Sequence, residues 1–325
     1  MSVKKILLIC MGMIFIISSG CKSKEEKMPR SDFSEEAFAL RLPEGILHGT
    51  LMFPDTNNKD TAVILIPGSG PTDRNGNNPQ AKGNNHLFLL AEALAEKGYT
   101  TLRYDKRGIG QSKKLLTKER ELTFDQAIDD VLRISEELIT RGFSNLILLG
   151  HSEGALIAEA AAVKKSYYKA LILASGSALS ADKLILNQLK DRDHNLVDLA
   201  LPIVTTLKKG EEVPEVPASL FSVFRPSVQP YLISWFSYDP VDLLGMIDVP
   251  VLIIHGDSDL QVSVSDAATL YEASSRGTLK VIHGMNHILK ESPEDREGNL
   301  ATYNRENLPL HEDFVNYIIE FLEKL

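Results

Sequence analysis

Cysteine is almost missing from this 325-residue chain: only Cys10 and Cys21 occur, both near the start, and Cys10 lies in a stretch that reads as removable. No disulfide framework can therefore brace the fold, and stability must come from apolar burial. Positive charge is also in short supply, with 35 Lys and Arg against 44 Asp and Glu for a net charge of −9. A phosphate-backbone partner needs the opposite balance, so nucleic acid is excluded as a binding class. The apolar run from Ile6 to Ile17 is too short for a comfortable membrane span. No His, Cys and Asp cluster has metal-ligand spacing, and the glycines of Asp105 to Ser112 match neither a phosphate loop nor a dinucleotide fingerprint. Neither a metal nor a cofactor is expected. A chain with 43% hydrophobic and 24% charged residues is instead an ordinary globular protein, large enough for one domain with an insertion.

What the chain does contain is organised around Leu146-Ile147-Leu148-Leu149-Gly150-His151-Ser152-Glu153-Gly154, followed by an alanine-rich run to Val163. A short apolar run, Gly-x-Ser-x-Gly and a good helix former in that order spell a strand, a sharp turn and a helix, with the serine lifted onto the turn. Its neighbours two before and two after must press against adjacent backbone, which favours glycine at Gly150 and Gly154. The helix beginning beside Ser152 aims free N–H groups outward, so the N–H of Glu153 is a candidate oxyanion donor.

The rest of the chain alternates. Two short strands are expected between Ala37 and Phe53 around Pro43-Glu44-Gly45, then a strand buried on both faces at Ala62 to Ile66. The loop that follows, Pro67 to Asn77, is rich in glycine, and the N–H of Ser69 is the second candidate oxyanion donor. Asp73, Arg74 and Asn75 are expected at the pocket rim, although a self-bonded surface loop fits the same residues. Helices are expected over His86 to Lys97, Thr123 to Arg141, Ser263 to Ser275 and His311 to Leu325, and strands over Tyr99 to Tyr104, Ala170 to Ala174, Val249 to Gly256 and Leu279 to Ile282. That alternation means an α/β fold, a mostly parallel central sheet with helices on both faces. Right-handed crossovers gather the loops after the strands on one edge.

Between Gly176 and Pro240 the alternation stops, and Phe221, Phe224, Tyr231, Trp235, Phe236 and Tyr238 form the densest aromatic stretch. We read residues 176–240 as a helical cap over the site, with Trp235 and Phe236 as candidate pocket residues. The core then occupies 37–175 and 241–325.

The start of the chain reads as an export signal over residues 1–20: Lys4 and Lys5, the apolar stretch, then Ser18-Ser19-Gly20-Cys21. The last four residues resemble a bacterial lipobox, with Ser18 where leucine is usual. That resemblance implies lipidation at Cys21, a polar tether over 21–36, and attachment to a membrane of the bacterial cell envelope.

A serine hydroxyl needs a base, and the base needs an acid to hold its tautomer. The late loops supply Asp257 or Asp259 as acid and His283 or His287 as base. Asp257 directly follows the strand and should bond back to the turn, and His283 stands at a strand end, so Asp259 and His287 are the better pair. His86, His151 and His255 are expected to be structural. Pro67 to Asn77, Arg103 to Gly110, Gly150 to Gly154 and His255 to Val262 together resemble the α/β-hydrolase superfamily, above all its serine-aminopeptidase-like branch that includes bacterial short-chain carboxylesterases. The resemblance implies the α/β-hydrolase fold with a cap, Asp259 as the acid, and a serine hydrolase acting on a small acyl ester. A serine aminopeptidase with Glu153 or Asp239 anchoring the substrate amine, and a non-catalytic binding module of the cell envelope, are the alternative functions.

Overall fold

A computed structural model describes residues 33–55, 60–79, 83–306 and 308–325. The proposed lipidation site Cys21 and most of the proposed tether lie outside the described residues.

The chain opens with a hairpin, β1 (Ser34–Leu42) and β2 (Gly45–Phe53), and continues through β3 (Thr61–Ile66), α1 (His86–Glu96), β4 (Thr100–Tyr104), α2 (Phe124–Thr140), β5 (Asn145–His151), α3 (Glu153–Lys164) and β6 (Tyr168–Ala174). A helical segment follows: α4 (Ala181–Arg192), α5 (His194–Leu207), α6 (Phe221–Phe224), α7 (Gln229–Trp235) and α8 (Pro240–Leu244). The alternation resumes with β7 (Val251–Gly256), α9 (Val264–Ala273), β8 (Gly277–Ile282), α10 (Arg296–Thr302) and α11 (Glu312–Leu322). The strands form one sheet in the order β1-β2-β4-β3-β5-β6-β7-β8, antiparallel from β1 to β4 and parallel from β4 through β3 to β8.

Strand β3 shows why the sheet carries apolar runs and not an alternating pattern. Ala62, Ile64 and Ile66 face one core cluster with α2, α3 and the cap, while Val63 and Leu65 face a second with α1 and α11. Successive side chains of a strand point to opposite faces, and here both faces are covered, so every position from Ala62 onward must be apolar.

Helix α2 ties the cap to the sheet. Thr123 caps it by accepting from the Gln126 N–H while the Gln126 side chain accepts from the Thr123 N–H, a reciprocal cap whose threonine alone is worth about 1 kcal/mol. Its first residue, Phe124, then stacks on Trp235 at 5.8 Å between ring centroids and meets Tyr231 edge-on at 6.0 Å, while its N–H donates to Ser234 Oγ. Phe224, Tyr231, Trp235 and Phe236 of the cap therefore share one continuous core with the sheet.

Candidate active site

Ser152 stands between β5 and α3 with φ 55° and ψ −119°, a conformation that costs a serine about 1–3 kcal/mol. The surrounding backbone enforces it. A Cβ on Gly150 would sit 2.1 Å from the Gly154 carbonyl oxygen, and one on Gly154 would sit 2.3 Å from the Ile66 carbonyl oxygen. The helix thus packs onto the end of β5 and the end of β3 at distances only glycine allows, as the motif spacing implied. The Ser152 N–H donates to the Ala174 carbonyl at the end of β6, fixing the turn on its other side.

Two and three strands further along the chain, the loops after β7 and β8 interlock. A Cβ on Gly256 would lie 1.9 Å from the Met285 carbonyl oxygen, and that same oxygen accepts from the Ser258 N–H at 3.1 Å. This contact brings Asp259 and His287 together: His287 Nδ1 donates to Asp259 Oδ2 at 2.7 Å, with the two side chains 6% and 1% exposed. The other carboxylate oxygen accepts from the Gln261 and Val262 N–H groups. Burial alone would raise the Asp259 carboxyl, but the charge and hydrogen bond of His287, then His255, then the Val262 N–H hold it below the usual carboxylate range. With Nδ1–H committed to Asp259, the neutral ring carries its lone pair on Nε2.

His151, directly before Ser152, links the two halves. Its Nε2–H donates to the His287 carbonyl at 2.7 Å, and the two rings lie 5.0 Å apart. Burial, followed by repulsion from His287, lowers His151 to about 3, so it stays neutral and does not compete for the proton. His255 likewise has a structural partner, donating from Nε2 to the Val262 carbonyl at 3.0 Å. His86 is fully enclosed against His151 with neither ring nitrogen bonded, and burial drives its pKa well down.

A cleft of about 560 Å³ opens beside the serine and is lined by Ser69, Ser152 and Glu153 on the sheet edge, by Leu184, Ile185 and Trp235 from the cap, and by Val262 from the acid loop. The two sequence-predicted oxyanion donors therefore share one cavity with Ser152. As the first residue of α3, Glu153 has an N–H with no acceptor inside the helix. Its carboxylate is buried against Lys106 and the Tyr231 hydroxyl, and burial raises its pKa despite both partners.

The pocket-rim expectation needs correcting. Asp73 Oδ1 accepts from the Asn75 and Asn77 N–H groups, Arg74 reaches back to Asp105, the Gly49 carbonyl and Thr50, and Asn75 accepts from Arg103. These groups are spent on the loop and on β2 and β4, and none of the three borders the cleft. Trp235 does line the cavity, whereas Phe236 is buried in the core cluster outside the lining.

Sequence reasoning also missed the brace behind the acid and base. Asn299 of α10 donates to the Ser258 carbonyl at 2.7 Å, and Asn286, directly before His287, donates to Thr302 Oγ1 at 2.7 Å. An asparagine beside the candidate base was the available signal, but its partner lies 16 residues on in a helix without a strong periodic pattern.

The sequence profile of the serine aminopeptidase (S33) family matches residues 84–218. Among curated proteins, the chain is 28% identical over 253 residues to the esterase EstD of Thermotoga maritima, covering 75% of this chain and 58% of that one. It is 26% identical over 275 residues to a proline iminopeptidase of Thermoplasma volcanium, covering 74% and 86%. Among solved structures, Est1E from Butyrivibrio proteoclasticus with ferulic acid bound superposes with a TM-score of 0.59 at 20% identity, covering 88% of this chain and 100% of that one. An esterase of Pyrococcus furiosus gives 0.58 at 18% identity over 90% and 91%. Sheet order, helices on both faces and these likenesses together give the chain the α/β-hydrolase fold.

Proposed function

We propose that this protein is a serine hydrolase that cleaves small carboxylic esters, with Ser152 as nucleophile, His287 as general base and Asp259 as the acid that orients it. The observation that carries this reading is the buried 2.7 Å contact of His287 with Asp259, on a loop whose backbone is held by the residue before Ser152.

In the first half-reaction His287 Nε2 takes the Ser152 hydroxyl proton as Oγ bonds to the acyl carbon, and the carbonyl π electrons move onto oxygen. The N–H groups of Ser69 and Glu153 stabilise that oxyanion; one such donor is worth about 2.7–4 kcal/mol. Collapse expels the alcohol, which receives its proton from His287, and leaves an acyl-serine. Water then repeats the sequence and releases the acid.

Two facts favour esters over peptides with a free amine. Of the two acids that could anchor a substrate ammonium, Glu153 already faces Lys106 and Tyr231, and Asp239 caps α8 and pairs with Lys183. The serine aminopeptidase remains the second reading because the S33 profile covers residues 84–218. We further propose that the chain is exported, acylated at Cys21 and held at a bacterial envelope membrane, as the resemblance of its first 21 residues to a lipoprotein signal implies.

The test is turnover of p-nitrophenyl acetate, butyrate and octanoate beside alanine and proline p-nitroanilides, with the Ser152→Ala variant as control. Ester turnover that vanishes in the variant is expected. Preference for the anilides would favour the peptidase, and turnover independent of Ser152 would refute both. Cys21→Ala should move the protein from the membrane to the soluble fraction; a variant that stays with the membrane would refute the anchor.

A further inference from the structure

The β4 loop places a lysine where the proposed hydrolysis assigns it no task. Lys106 Nζ donates to the Gly68 carbonyl oxygen at 2.5 Å and lies 3.9 Å from Glu153 Oε1. The Gly68 carbonyl belongs to the same peptide unit as the Ser69 N–H. No peptide bond among the described residues is cis, so in this planar trans unit the C=O and N–H point in opposite directions. Fixing the oxygen on one side therefore fixes the direction of the N–H on the other.

The surroundings agree with that geometry. Lys106 and Gly70 border a second, mainly apolar cavity of about 590 Å³ on the β4 side, whereas Ser69 borders the cleft that contains Ser152. The peptide unit runs close to the nucleophile, since a Cβ on Gly68 would lie 3.2 Å from Ser152 Cβ. A glycine peptide has little of its own to hold its orientation, and rotation about the flanking bonds would turn the N–H away. Glu153, whose own N–H is the other candidate donor, supplies the countercharge for the lysine. The Tyr231 hydroxyl of cap helix α7 bonds the same carboxylate.

We propose that Lys106 is the positioning residue of the oxyanion site: it holds the Gly68 carbonyl so that the Ser69 N–H faces the reacting oxygen, with Glu153 and Tyr231 anchoring the ammonium from the elbow and the cap. This inference rests on the serine hydrolase reading. Lys106 touches no reacting atom, and its effect is confined to the state in which negative charge sits on the carbonyl oxygen.

The experiment compares wild type with Lys106→Met and Lys106→Arg on p-nitrophenyl butyrate, alongside inhibition by an aliphatic trifluoromethyl ketone and by the matching methyl ketone. The first inhibitor forms a tetrahedral adduct on serine that presents an oxyanion, and the second occupies the cleft largely without one. Lys106→Met should lower kcat by about 10²–10³-fold, the loss expected when one oxyanion donor is removed. Its KM and methyl ketone inhibition should stay within a factor of three, while the trifluoromethyl ketone weakens in step with kcat. Lys106→Arg, which keeps a charged donor, should recover at least tenfold of the loss. The milder Tyr231→Phe should weaken the trifluoromethyl ketone less than tenfold and leave the methyl ketone unchanged; it carries the comparison if Lys106→Met does not fold. Equal weakening of both ketones in either variant, or unchanged kcat in Lys106→Met, would overturn the proposal. Ester turnover indifferent to Ser152→Ala would instead sink the parent reading.

Discussion

Two aspartate–histidine pairs bridge the loops after β7 and β8, and by hydrogen-bond length they are nearly the same. Asp257 meets His283 at 2.8 Å and Asp259 meets His287 at 2.7 Å. Their surroundings differ: the first pair is 37% and 89% exposed at its side chains, the second 1% and 6%. Water screens the outer pair and leaves both groups free to exchange partners, so it can add little to the fold. The inner pair sits where field strength is high and the second carboxylate oxygen holds two N–H donors, which is what fixing the carboxylate against one imidazole tautomer demands. A close contact is thus common property, and enclosure separates the pair that can orient a base from the pair that cannot.

The sharpest way to break this comparison is Asp259→Asn beside Asp257→Asn. The first should lower ester turnover by about 10⁴-fold, because an amide can stabilise the wrong tautomer. The second should change turnover less than threefold, and equal or reversed effects in steady-state kinetics would refute the distinction. Gly256→Ala should come next. The Met285 carbonyl has no room for the added methyl, so the acid and base loops must separate, which lowers Tm and cuts activity at least tenfold. Gly284→Ala meets a positive φ, 74°, but open space, and should cost roughly 1 kcal/mol by denaturant unfolding without moving kcat.

Lys290 tests the enclosure itself. Burial pushes its ammonium down to about 7, while the unfolded chain holds that proton up to about pH 10. The unfolded state therefore binds more protons between those limits, and stability rises with pH across that window. Below it the lysine is charged in both states and the folded protein bears the full cost of enclosing it. Lys290→Met should accordingly gain in Tm relative to wild type near pH 6, with the difference shrinking toward pH 10. A pH-independent difference would mean that the ammonium reaches solvent. His283→Ala should give the smallest effect, leaving kcat and Tm unchanged.

The central sheet and the elbow were legible because their signals are local. Apolar runs of strand length and the glycines two before and two after Ser152 act within a few residues of where they are read. Asp259 could be preferred to Asp257 because two further residues carry the side chain past the strand end. The role of the loop around Asp73 to Asn75 was not legible, since its orientation is set by Asp105 and Arg103, about thirty residues away. The brace from Asn299 and Thr302 and the reach of Lys106 to Gly68 were hidden for the same reason. A hydrogen bond between distant loops leaves no period in the sequence.

The backbone angle of Ser152 has a consequence for how this protein changes over time. Glycine would occupy φ 55°, ψ −119° with almost no strain, and relief of about 1–3 kcal/mol exceeds the 0.5–1 kcal/mol that its freer unfolded chain costs. Ser152→Gly should therefore raise Tm while abolishing turnover. A library sorted only for heat resistance would discard the proposed nucleophile early, and a lineage released from selection for its chemistry would drift the same way.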